Sequence, residues 1–172
     1  MNAYPELPLL NYEPTTVPMD DVIAYLDGQD IPREIKRAVY IIFRQESSDG
    51  SHGINHNYAG AMADGTRWSS LFDDILAGVV EKKDAKTGKL RLYLAFYNWE
   101  SCLDFLVSRI SSRGIFIGGY ARLVAKMEVD TPDHLATAYF RDWVAGDADY
   151  KLTAGEKAGF LAMYKDAVAH FS

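Results

Sequence analysis

The chain of 172 residues has one cysteine, Cys102, so an internal disulfide framework is excluded. A lone thiol fits a reducing compartment or a small buried apolar position. Positive charge is also scarce. Lys and Arg number 18 against 24 Asp and Glu, giving a net charge of −6, and without a basic run there is no footprint for nucleic acid. No stretch reaches the ~18 consecutive apolar residues of a membrane span. The opening segment MNAYPELPLLNYEPTTVP has neither a positive n-region nor an apolar core, so it is not read as a secretory signal. Repeats and low-complexity tracts are missing as well.

What is present is a globular composition, 48% apolar and 13% aromatic with 11 tyrosines, enough for a packed core with aromatic surface to spare for a groove. Pro5, Pro8 and Pro14 mark residues 1–17 as an extended arm on the domain surface. Residues 18–172 are expected to form one domain. Met19 to Leu26 predicts a short helix, and a second begins at once, with Asp30 as N-cap and Pro32 near its first position, running to about Glu46. Glu46 follows Ile35, Val39 and Ile42 at helical spacing, so a carboxylate closes an apolar stripe. If that helix end borders a cleft, desolvation raises the acid's pKa, as a general acid working near neutral pH requires.

After Glu46 the pattern gives way to SSDGSHGINHNYAG, a turn-rich polar loop of the kind that is more often functional than idle. Trp68 to Leu76 reads as a short helix. VVEKK and KLRLYLAFY, joined by DAKTG, form the clearest hairpin signal. From Asn98 onward the pattern is helical: a helix capped by Asn98 and closed by Gly114, one over Ile117 to Met127, one from Thr131-Pro132 to Val144, and a last one opened by the capping box Thr153-Ala154-Gly155-Glu156. The expected class is α+β, mostly α, with one small β-hairpin.

Four groupings could carry chemistry. Glu46 with a second carboxylate (Asp49, Asp64 or Glu81) and the rings of Tyr58, Trp68 and Tyr97 matches what glycoside cleavage asks for: a proton donor, an opposing carboxylate and faces for sugars. His52 and His56 have the i, i+4 spacing of zinc ligands, but Gly53 puts them in a loop, where they read as polar residues touching substrate. Cys102, near a helix start, with His134 as a distant base would suit a cysteine peptidase, but it shares a face with Phe105, Leu106 and Ile110 and reads as core. Gly118-Gly119 lacks the strand-to-helix context of a phosphate loop and reads as a turn.

Three segments in order resemble the lysozyme-like superfamily, most closely the bacterial glucosaminidases of glycoside hydrolase family 73, which include flagellar-type peptidoglycan hydrolases. They are FRQESS with Glu46, then Asn57-Tyr58-Ala59-Gly60, then, after the hairpin, LAFYNWESCLDFL with Tyr97, Glu100, Ser101 and Asp104. The resemblance spans about residues 31–150 and departs from the family where AMADGTRW follows NYAG. It implies a lysozyme-like fold and a cofactor-free peptidoglycan hydrolase cleaving a β-1,4 bond, N-acetylglucosaminidase before muramidase or lytic transglycosylase. Glu46 would be the general acid, Glu81 (failing that, Asp64) the second carboxylate, and Asn57, Tyr58, Trp68 and Tyr97 the substrate-binding residues. Implied partners are peptidoglycan glycan strands and a delivery system or cognate inhibitor. The location is not fixed by the sequence: the acidic pI and the absent signal suggest a protein made in the cytoplasm that acts on the cell wall after phage or secretion-system delivery, or after export by an unusual route. The alternatives are a non-catalytic virion or envelope protein on the same scaffold and a Cys102-dependent wall amidase or peptidase.

Overall fold

The computed structural model describes residues 1–113, 115–117, 122–125 and 131–172. The chain is α+β and mostly α, as its sequence pattern predicts. It divides into two compact units, one of Met1–Met19 with Phe43–Phe105 and one of Asp20–Ile42 with Leu106–Ser172. Among the described residues no helix is long and apolar enough to cross a membrane.

The first unit is built on a three-stranded sheet in the order β1 (Leu9–Leu10), β4 (Leu76–Lys83), β5 (Leu90–Phe96). Strand β4 (Leu76–Lys83) and strand β5 (Leu90–Phe96) form the expected hairpin, with Val80 opposite Tyr93, Glu81 opposite Leu92 and Lys82 opposite Arg91. Its DAKTG turn is held by Asp84, whose Oδ1 accepts from the amides of Lys86 (2.9 Å) and Thr87 (2.8 Å). The N-terminal residues supply β1 (Leu9–Leu10), parallel to β4, and β2 (Pro14–Thr15), antiparallel to β3 (Gly53–Ile54). Gly78, expected ahead of the hairpin, lies inside β4, where a Cβ would meet the Pro8 carbonyl at 2.5 Å; close passage of the arm requires glycine. The core gathers round Phe105, with ring centroids of Phe72, Trp68 and Phe96 at 4.6, 5.0 and 5.5 Å. The stretch expected as a helix from Trp68 forms a 3₁₀ turn over Ser70–Ile75 and then enters β4 at Leu76.

The second unit is mostly helical. Helix α1 (Met19–Asp27) buries Val22 and Leu26. Helix α2 (Arg33–Ser47) starts later than expected: the Pro32 carbonyl accepts from Ile35 and Lys36, so Asp30 lies too far upstream to cap it. Helix α3 (Trp99–Arg113) has the expected cap, Asn98 Oδ1 accepting from Ser101 N at 2.8 Å. Helix α4 (Pro132–Ala138) continues as a π-helical segment, Tyr139–Ala145, which ends at left-handed Gly146. Helix α5 (Ala154–His170) opens with the predicted capping box and sends Phe160, Tyr164 and Ala167 inward. Tyr40 of α2 donates to Asp166 of α5 at 2.5 Å, and Arg37 Nε to the Phe171 carbonyl at 2.8 Å.

A further expectation fails here. The helix over Ile117 to Met127 is replaced, in its described part, by strands β6 (Ile115–Ile117) and β7 (Arg122–Ala125), which pair antiparallel. IFI and RLV are rich in β-branched and large apolar residues, and over so short a run helical spacing cannot be told from strand propensity. Gly114, Gly118-Gly119 and Met127, to which the sequence reading also gave roles, lie outside the described residues.

Candidate functional site

Glu46 sits in the last turn of α2, and the chain leaves that helix by a tightly specified route. Ser47, fully buried, donates from Oγ to the Phe43 carbonyl at 2.5 Å and accepts from Gly50 N at 2.9 Å. Ser48 and Asp49 then take left-handed backbone (φ 48° and 57°), and Asp49 pairs with Arg44 at 2.7 Å. Asp49 is thus committed to the helix end.

The following loop is a small hairpin. Ile54 and Asn57 exchange backbone hydrogen bonds (3.2 and 2.9 Å) around Asn55 and His56, both left-handed, the arrangement of a type I′ turn. Asn57 staples what comes next. Its Nδ2 donates to the carbonyls of Ala61 (2.9 Å) and Leu94 (2.8 Å), and its Oδ1 accepts from the amides of Ala59 (3.1 Å) and Ala61 (3.2 Å). Gly60 then turns with φ +62°, and a Cβ there would stand 3.3 Å from Glu46 Oε2. Glycine at this point satisfies the turn and keeps the carboxylate's flank open.

Glu46 therefore lines a cleft of about 330 Å³, open to solvent, with His52, Asn57 and Gly60 from the loop and Lys82 and Tyr93 from the hairpin. A carboxyl group, an imidazole, an ammonium and a phenol share the lining, groups able to exchange protons and to hydrogen-bond a polar ligand.

The other expected site residues are distributed differently. Glu81 is exposed, and since successive side chains of a strand alternate, it lies on the face of β4 opposite Lys82. The structure does not bring it to Glu46; a one-residue phase in the strand decides this. Asp64 is held by Arg91 in a bidentate pair (2.6 and 2.9 Å), and that hydrogen bonding, ahead of any burial effect, keeps its carboxyl below the usual range. Tyr58, expected to face sugar, is core: its ring is 1% exposed, lies 5.1 Å from that of Phe43 and covers Gly53. Trp68 is half-buried, its indole N–H donating to the Met62 carbonyl at 2.6 Å, and its ring is turned edge-on to Phe105. Tyr97 is 64% exposed and, like Tyr58 and Trp68, is not part of the cleft lining. Asn57 reaches the cleft, but all four of its hydrogen-bonding positions are used by backbone.

Lys82 and Tyr93 were missed. The signal lay in the alternation of VVEKK and LRLYL, which places Val80, Lys82, Arg91 and Tyr93 on one face once the hairpin is in register. Cys102 is fully buried, and desolvation pushes its thiol up to about 12, so it is a poor nucleophile. Among the described residues no group of three His, Cys, Asp or Glu is arranged to hold a metal ion. Comparison with protein-family models, with curated proteins and with solved structures finds no match to this chain.

Proposed function

We propose that the protein is a peptidoglycan-cleaving enzyme of lysozyme-like type that breaks a β-1,4 glycosidic bond of the glycan strand, with Glu46 as the proton donor. The observation that carries this reading is the position of Glu46: a carboxylate at the end of a buried helix, facing an open cleft across a glycine that cannot shield it. The order of FRQESS, NYAG and LAFYNWES supports the substrate class.

Among the described residues Glu46 is the single carboxylate in the cleft lining, which favours a route in which it serves first as acid and then as base. Its proton goes to the glycosidic oxygen as the C1–O bond breaks. The positive charge at C1 is met by an oxygen of the substrate's own sugar, either the 2-acetamido carbonyl or the C6 hydroxyl. In the first case Glu46 then deprotonates the water that opens the ring and gives N-acetylglucosaminidase or muramidase products; in the second it takes the C6 hydroxyl proton and the product is a 1,6-anhydro sugar. Mass spectrometry of muropeptides released from purified sacculi reads which of these operates. Glu46→Gln is expected to lower release by orders of magnitude, and undiminished release by that variant would end the proposal.

The lone carboxylate also favours a second reading, a wall-binding protein without turnover on the same cleft. It predicts sacculus binding by wild type and Glu46→Gln alike, with no soluble fragments from either.

A further inference from the structure

We propose that Lys82 is a specificity residue that reads a carboxylate on the bound glycan, so that the cleft takes an acidic sugar chain in preference to a neutral one such as chitin. The inference rests on the glycan-cleaving reading above and narrows its substrate. Lys82 is half-buried in the cleft wall with its ammonium 5.6 Å from the centroid of the Tyr93 ring, which steadies the side chain without neutralising it. Apart from Glu46, which lines the same cleft, the neighbouring carboxylates are engaged or turned away. Asp64 is taken bidentately by Arg91, the residue directly across the ladder from Lys82, and Glu81, its neighbour in sequence, lies on the opposite face of the strand. No ion pair joins Lys82 to a carboxylate among the described residues.

In a chain of net charge −6 this is an ammonium kept in a cleft with its charge unspent. When Glu46 carries the proton it is to donate, it adds no negative charge, and the cleft is then cationic. The ligand chemistry complementary to it is a carboxylate beside a sugar ring. Peptidoglycan offers that chemistry in two forms, the lactyl ether on every second sugar when the peptide has been removed and the carboxylates of the stem peptide when it has not. Chitin offers neither.

The test uses the full chain carrying Glu46→Gln, so that ligands are not consumed, and isothermal titration with three tetrasaccharides: the neutral N-acetylglucosamine tetramer, a peptide-stripped glycan with free lactyl carboxylates, and a glycan with its stem peptides. At least one carboxylate-bearing ligand is expected to bind about tenfold tighter than the neutral tetramer. The tighter of the two identifies the source of the carboxylate. Adding Lys82→Met should bring the acidic-to-neutral ratio near one, and Lys82→Arg should restore most of it. A ratio unchanged by Lys82→Met, or an equal loss on all three ligands, overturns the assignment while leaving the glycan reading intact. Failure to bind any of the three overturns the glycan reading itself.

Discussion

Replacing Asn57 by Ala separates a loop staple from a substrate ligand. The Asn57 side chain meets two carbonyls and two amides, but these losses are unequal. The Ala61 carbonyl also receives the Leu94 amide at 3.0 Å and stays satisfied. The Ala61 amide loses its Asn57 partner, and the Leu94 carbonyl, on the same edge of β5 as its amide, loses the donor that replaces a neighbouring strand. Each buried polar group left alone costs about 1–3 kcal/mol, so about 3 kcal/mol is expected after local relaxation. For a chain of this length that lowers Tm by roughly 6–12 °C. Urea denaturation and a thermal melt of Asn57→Ala measure it. A loss below about 1 kcal/mol, accompanied by a large fall in glycan affinity, would refute the reasoning and return Asn57 to the role its sequence context suggested.

Two further predictions concern Asp64, the fallback second carboxylate, and Cys102, the nucleophile of the alternative reading. Because the Asp64 carboxyl is held below its ordinary value by Arg91, its contribution to stability is full above the unfolded pKa of about 3.9 and is lost as pH falls through the folded pKa. Asp64→Asn should therefore be less stable than wild type at pH 7 and lose less on acidification, and parallel stability curves from urea titrations between pH 7 and 3 would sink the ion pair's role. Cys102, buried with its thiol pushed up to about 12, should resist a thiol reagent in the native protein and react at once in denaturant, and Cys102→Ser should still release muropeptides. Activity lost in that variant while its fold is retained would revive the cysteine-dependent alternative.

Local rules were legible in the chain because they act within a few residues. The Asn98 cap, the Thr153–Glu156 capping box and the DAKTG hairpin depend on near neighbours and form as expected. The helix ending at Glu46 was equally readable, although from Ala38 to Phe43 it is buried on every side, so the stripe that drew notice was only part of its apolar surface. The β6–β7 pair was not readable, since a partner strand rather than local spacing decides whether such a short apolar run is helix or strand.

The site divides along the same line. Sequence order alone marked Glu46 and the NYAG loop, and the polar loop residue His52 joined them in the cleft. Which residues complete that cleft was a matter of tertiary structure. The phase of β4 sends Glu81 away and Lys82 in, Arg91 claims Asp64, and Phe43 and Gly53 enclose Tyr58. A strand's two faces differ by one residue in register, and a carboxylate's or aromatic's fate depends on neighbours many positions distant. The chain by itself marked Glu46; only folding decided that, among the described residues, a lysine and a tyrosine rather than a second carboxylate stand with it.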